Sequence, residues 1–431
     1  MSNRASRLLT ENILANYAYV LVMGVVTLAA TPIYVHRLGP AQWGLVALCM
    51  TAQGMLLLLD AGLGQIMPRE IARAARQGRA EEAWQVSLKL YGSIAVGACL
   101  IGQIGAGAVA GRMMAGQPAL QPMFEAALRL VLLQFMFQFP NNAALAFWNG
   151  TEQQRLANLR QAGFAAAKHL GALTLVTQWR GDALAYMLPF ALISAIECLA
   201  NAWRLHRAAA PTPPVAAADA TPTAPFSVRQ LIGSAGGFSG VVVLGMLTSQ
   251  IDRLWLARVV TAEEFGRYVV AANLALTLMH LQGPIQRAFL PRIVTDAQAA
   301  WPLVRRMLIL IAVVCLLPCL VAAALARPLL QLWLHDPVIA AAGAPAFALI
   351  AVAVGLNGMY GGIYTLFVRD NLYLRLIVLN AAILAAQGLL LHLLTPHLSI
   401  TTGGLAWLLG SAMQVSFGLF SVLRLRKSAR V

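Results

Sequence analysis

Charge is what this sequence has least of. Of its 431 residues only 11% are Asp, Glu, Lys or Arg, against roughly 25% in a soluble globular chain. Negative charge is scarcer still, with 16 acidic residues beside 31 Lys and Arg. Outer loops clearly longer than about twenty residues are missing too, and no sizeable aqueous loop carries paired carboxylates. Cys49, Cys99, Cys198, Cys315 and Cys319 all fall in apolar stretches, without C-x-x-C spacing or a companion His cluster. Neither a disulfide framework nor a metal site is expected from them. G-x-S-x-G, H-E-x-x-H and the Gly-Lys-Ser/Thr phosphate loop do not occur. Cofactor-dependent chemistry is therefore not expected. Without an ATP-binding motif, any energy has to come from an ion gradient, the membrane potential or consumption of the product.

What is present is apolar sequence, 59% of the chain. Runs near the ~18–20 residues that cross a bilayer recur along the whole length. They predict an all-α, polytopic membrane protein with about twelve spans, near 13–34, 43–67, 87–110, 126–148, 161–179, 183–203, 231–257, 268–289, 307–325, 345–367, 374–394 and 403–423. The first run outlasts a signal-peptide core and reads as an uncleaved helix. With the N-terminus inside, the inner segments collect Arg4, Arg7, Arg69, Arg73, Arg76, Arg79, Arg155, Arg160, Arg204, Arg207, Arg229, Arg292, Arg305, Arg306, Arg369, Arg375, Arg424, Arg426, Lys427 and Arg430. The outer segments hold only Arg37, Arg112, Arg129, Arg180, Arg258, Arg267 and Arg327. That asymmetry places both termini in the cytoplasm and accounts for the net charge of +15 without nucleic acid as a partner.

A pattern then repeats. Gly39-Pro40 precedes Trp43-Gly44, an apolar span and Met67-Pro68-Arg69; later, Phe265-Gly266 precedes Leu290-Pro291-Arg292 by nearly the same interval. Between the copies lies the one long break, with Pro211, Pro213, Pro214, Pro222 and Pro225 among Ala and Thr. Such composition makes a semi-flexible linker rather than a core. The expected organisation is a first lobe over 1–207, a linker over 208–226 and a second lobe over 227–431, with six spans in each lobe. An even number of spans gives the lobes the same orientation, a parallel repeat known among transporters.

Polar residues fall in stripes on many of these spans. Asn273, Thr277, His280, Pro284 and Arg287 share one; Gln134, Gln138 and Asn141 another. Asn357, Tyr360 and Tyr364 line the tenth span, and Asn380 and Gln387 the eleventh. Taken singly, each is an interhelical hydrogen bond worth about 0.6 kcal/mol; taken together they predict a polar cavity between two lobes.

Ionisable groups inside spans are costlier, about 2.5–3.5 kcal/mol each at the helix centre. Lys168, mid-span, either meets an anionic substrate group or pairs with a buried carboxylate. Arg287 either serves the substrate or snorkels to the headgroups; Lys89, near a span end, snorkels. Asp252 and Arg253 are adjacent, about 100° apart on a helix, and need not pair. Asp60 lies beside Gly62 and Gly64, where it either couples an ion or accepts hydrogen bonds from a loosened helix end. Glu197 poses the same choice. His280 is central, though a lone His usually packs and hydrogen-bonds. The candidate substrate-binding set is thus Lys168, Arg287, Arg253, His280, Asn273 and Gln138, with Asp60 and Asp252 as ion-coupling candidates.

The stretches ENILANYAYVLVMGVVTLAATPIYVHRLGPAQWGL, DAGLGQIMPREIAR and SQIDRLWLARVVTAEEFGRYVVAANL…PIQRAFLPR resemble the polysaccharide-exporter branch of the multidrug/oligosaccharidyl-lipid/polysaccharide (MOP) superfamily, the Wzx-type O-antigen and capsule flippases. The resemblance spans essentially the whole chain, and the proline-rich linker departs from it only in composition. It implies transport without chemistry: an undecaprenyl-pyrophosphate-linked oligosaccharide passes from the cytoplasmic to the periplasmic leaflet of the bacterial inner membrane as two lobes rock. It also implies membrane lipids and the polysaccharide polymerase and chain-length machinery as partners. Lys168, Arg287 and Arg253 would then face the pyrophosphate, and Asn and Gln stripes the sugars. Three other readings remain. An ion-coupled exporter of small cations wants a carboxylate in the first span, which from Asn12 to Tyr34 has none. A peptidoglycan-precursor flippase shares the pyrophosphate. A membrane-embedded polymerase needs a large outer loop.

Overall fold

The computed structural model describes residues 3–208, 239–283, 285, 286, 289, 293, 300–369 and 372–428; within these, side chains at 3–23, 65, 208, 300, 365, 368, 369 and 422–428 are left out of account. The linker over 208–226, apart from Ala208 at the end of a helix, the Leu290-Pro291-Arg292 exit, Pro284 and Arg287 lie outside the described residues. Among the described residues every regular element is helical. The chain divides into two compact units, Met1–Ser239 and Gly240–Val431.

In the first unit, α1 (Asn3–Leu56) is one helical path broken at Gly39, whose φ of 72° and ψ of 169° lie in a region nearly closed to residues with a Cβ. Pro40 follows, its fixed φ suited to restarting a helix. Trp43 is buried directly after the restart. The second stretch of α1 then tightens into a 3₁₀ turn, Leu57–Asp60, and reverses through Ala61 and Gly62, both left-handed. The second span therefore stops well short of the expected residue 67. Met67 belongs instead to the amphipathic α2 (Leu63–Arg76), which buries Met67 and Ile71 and exposes Arg69, Arg73 and Arg76. Next come α3 (Ala80–Met113), α4 (Gln121–Gln138), α5 (Asn141–Gly150), α6 (Gln154–Gln178) and α7 (Ala183–Ala208). Pro140 separates α4 from α5 inside what the hydropathy pattern reads as one span. Helix α6 packs on α1 and α7, α4 on α3 and α7, and α2 on α5.

The second unit begins with α8 (239–248, all but its first residue in this unit), α9 (Ile251–Val259) and α10 (Ala262–Thr277). Thr261 starts α10 with a full capping box: its hydroxyl accepts from the Glu264 amide while the Glu264 carboxylate returns to the Thr261 amide. Phe265 is fully buried just inside the start, and α10 ends in a second 3₁₀ turn, Leu278–Leu281. The sequence repeat thus has a structural counterpart. Each unit carries a turn, a buried aromatic-Gly pair, a helix of four to five turns and a 3₁₀ exit, although the turn is built from Gly-Pro in one copy and a capping box in the other. The rest of the unit is α11 (Ala300–Ile311), a π-helical segment (Ala312–Leu316), α12 (Leu317–Ala324), α13 (Ala326–Leu334), α14 (Pro337–Arg369), α15 (Tyr373–Leu398) and α16 (Thr401–Ser428). Helix α14 is central, packed on α16, α10 and α13.

Among the described residues, 8 helices are long and apolar enough to cross a membrane. The shortfall from twelve has specific causes. The first two expected spans run on as the single helical path of α1. Helix α6 has the length but holds Arg160, Gln161 and Lys168, and is too polar to qualify. The seventh and eighth expected spans are described only in part. The protein is a polytopic, all-helical membrane protein.

Candidate functional site

In the first unit, polar side chains from four helices converge. Lys168 of α6 lies with its side chain only 9% exposed, and its Nζ sits 2.7 Å from Glu197 Oε2 on α7. The same ammonium donates to Gln138 Oε1 at the end of α4, which also accepts from the Ser194 hydroxyl at 3.0 Å. Further along α7, Asn201 donates to Asn141 Oδ1 at 3.0 Å and accepts from Arg160 Nε at 2.8 Å. The Arg160 guanidinium stacks over Trp148 and Phe164 at 5.6 and 5.5 Å. An ammonium in this apolar surrounding is tolerable because a carboxylate and an amide neutralise and hydrogen-bond it. Of the two roles open to Lys168 in the sequence, the geometry realises the ion pair. Glu197 is its partner.

Asp60 also adopts the hydrogen-bonding alternative. One oxygen accepts from the Tyr91 hydroxyl and the other from the Gly64 amide, each at 3.0 Å, so the carboxylate caps the first turn of α2.

In the second unit, Asp252 and Arg253 point to different partners, as their angular separation suggests. Asp252 is 1% exposed and accepts from the Tyr268 hydroxyl, while Arg253 donates to Asn273 Oδ1 at 2.7 Å. Gly403 makes this node possible, since a Cβ there would lie 2.6 Å from the Tyr268 ring. His280 is exposed on the 3₁₀ turn. That turn changes the helical period, so the stripe expected from Asn273 through His280 does not run straight. Arg287 lies outside the described residues. The candidates therefore group as Lys168 with Gln138 and Arg253 with Asn273, in separate units.

The second unit also contains a pocket of about 320 Å³ lined by Thr248, Ser249, Tyr360, Tyr364, Asn380 and Gln414, with Val241, Val242, Gly245, Met246 and Leu376 as its apolar wall. Among the described residues no Asp, Glu, Lys, Arg or His lines it. Asn357 donates to Gln414 Oε1 at 3.0 Å and accepts from Gln282 at 3.4 Å, fixing the Gln414 amide. Asn380 donates to the Val241 carbonyl at 3.4 Å. Tyr360, Tyr364 and Asn380 are stripe residues from the tenth and eleventh spans. Gln414, on the twelfth, escapes sequence reading because a single amide in an apolar helix has no periodic companion. Among the described residues no three His, Cys, Asp or Glu side chains gather as metal ligands.

The fold is that of MOP-superfamily transporters. The chain superposes on a MOP superfamily transporter from Pyrococcus furiosus with a TM-score of 0.69 at 17% identity, covering 97% of this chain and 96% of that one. On the lipid II flippase MurJ in an inward closed conformation it scores 0.74 at 10% identity, covering 95% and 87%. On a multidrug resistance MATE family transporter in an outward-facing conformation it scores 0.70 at 16% identity, covering 97% and 96%. No curated protein matches the chain in sequence. Residues 10–295 match the polysaccharide biosynthesis protein family, and the chain belongs to that family.

Proposed function

We propose that this protein is a flippase that carries a polyprenyl-diphosphate-linked oligosaccharide across the bacterial inner membrane, both termini remaining cytoplasmic. The observation that carries this reading is the pocket around Tyr360, Tyr364, Asn380 and Gln414. Sugar hydroxyls moved unpaired through hydrocarbon cost several kcal/mol each. A recess in a membrane bundle lined by amides, hydroxyls and phenol rings supplies what they need. Amides bond hydroxyls in either direction, and the aromatic faces cover the C–H face of a pyranose. Family membership supports a role in polysaccharide biosynthesis, and the likeness to a lipid II flippase supports a lipid-linked cargo. Among the described residues this pocket offers no carboxylate to an exporter of small cations. In the first unit the ammonium of Lys168 is already neutralised, so its part in this reading is to hold α4, α6 and α7 together.

The test is complementation of a strain whose own flippase is deleted. Tyr364→Ala and Gln414→Ala, inserted at wild-type level, are expected to cut surface-polysaccharide display by tenfold or more. Full display by both variants overturns the sugar-pocket assignment.

A further inference from the structure

Where α5 ends, α6 begins and α7 ends, a second recess of about 330 Å³ opens, lined by Trp148, Gln153, Leu156, Trp203, Arg204 and Arg207 among others. Three of its features belong to a lipid headgroup site. First, its cations lack protein counter-charges: among the described residues neither Arg204 nor Arg207 makes an ion pair, whereas Arg73, Arg79, Arg129, Arg180 and Arg267 each do. Arg160 adds a further guanidinium over the Trp148 ring. Second, the Arg207 guanidinium sits 4.1 Å from the centre of the Trp203 ring, which is itself 58% exposed. A tryptophan with one polar end and one apolar body is the residue type of the membrane interface. Third, Trp203 ends an exposed apolar ridge: Leu192, Ile196, Leu199 and Trp203 follow one another at intervals of four, three and four along one face of α7.

We infer that this recess binds an anionic glycerophospholipid. Its phosphate is held by Arg204 and Arg207 through charge-assisted hydrogen bonds, its glycerol backbone lies at Trp203, and an acyl chain runs along Leu199, Ile196 and Leu192. Basic pockets between membrane helices are suited to such headgroups. Its lining differs in kind from that of the pocket in the second unit: two guanidiniums and two indoles with, among the described residues, Gln153 as the one amide, against hydroxyls, phenols and amides there. The site is therefore distinct from the cargo pocket, and it stands whether or not the flippase reading does. Bound there, the lipid ties together the ends of α5, α6 and α7, the helices that also carry the Lys168–Glu197 and Arg160–Asn201 contacts.

The experiment uses the full-length protein in a neutral detergent, with lipid retention read by native mass spectrometry and stability by thermal unfolding. Phosphatidylglycerol is expected to remain bound and to raise Tm by several degrees; phosphatidylcholine and inorganic phosphate are expected to do neither. Replacing both arginines, Arg204→Gln with Arg207→Gln, is expected to weaken phosphatidylglycerol binding at least tenfold without changing the lipid-free Tm, because both side chains are exposed. A second readout does not need that variant: phosphatidylglycerol brominated on its acyl chains quenches tryptophan fluorescence, and Trp203→Phe removes part of that quenching. Equal binding by the double variant overturns the proposal. So does equal retention of phosphatidylcholine, an equal shift with inorganic phosphate alone, or quenching unaltered by Trp203→Phe.

Discussion

Lys168 shows how much one residue's meaning depends on what lies opposite it. Its cost in the bilayer is legible from its position in α6, but its partner is Glu197 on the next helix, and no spacing rule connects the two. Breaking a buried pair from one side leaves an uncompensated charge, at a cost of about 3–5 kcal/mol, whereas replacing both members by apolar side chains is often neutral. We expect Lys168→Met to lower thermal stability sharply, and Lys168→Met combined with Glu197→Leu to restore most of it; the readout is the unfolding temperature in detergent. A double variant no more stable than the single one means the pair is not what holds Lys168. The same contrast separates folding from transport. If the double variant is stable and still displays polysaccharide, the pair is structural; if stable but silent, Lys168 acts on the cargo as well. Asp252 and Arg253 were easier to anticipate, because neighbours 100° apart on a helix seek different partners, and they find Tyr268 and Asn273.

At the scale of elements, the repeated device was visible as aromatic-Gly pairs at matching intervals, and both copies prove to be helix starts that end in 3₁₀ turns. The exact span ends were not visible. Asp60, Ala61 and Gly62 look like the interior of an apolar run, yet Asp60 captures the Gly64 amide and ends one helix to begin another. Hydropathy averages over such local competition for backbone groups. Gly39 is the sharper case, since its φ of 72° with ψ of 169° is compatible only with glycine. We expect Gly39→Ala to cost about 1–3 kcal/mol through backbone strain, measured as a lowered unfolding temperature and increased protease cutting near residue 40. The added Cβ meets no atom within 4 Å, so strain alone carries the effect. Unchanged stability means the chain can pass this break with ordinary dihedrals.

For the whole molecule, composition alone gave a polytopic helical membrane protein, and the fold agrees, with MOP-superfamily transporters superposing over nearly the full chain. The candidate site was legible in part. Tyr360, Tyr364 and Asn380 stood out as a polar set on the tenth and eleventh spans, and they line one pocket of the second unit. Gln414 and the closing contributions of Thr248 and Ser249 come from other helices whose approach is set by tertiary packing. Of the cations that the resemblance turns toward a phosphate, Lys168 is ion-paired with Glu197, Arg253 donates to Asn273, and Arg287 lies outside the described residues.

The most direct test is a translocation assay. Purified protein is reconstituted into vesicles containing a polyprenyl-diphosphate-linked oligosaccharide, and an added glycosidase reports how much of the sugar has reached the outer leaflet. With the wild-type protein we expect the protected fraction to be digested progressively, with Tyr364→Ala slowing this by tenfold or more. Vesicles whose protected fraction stays as large with the protein as without it, in either orientation and with either sign of ion gradient, would contradict the claim that this protein moves a sugar-bearing lipid.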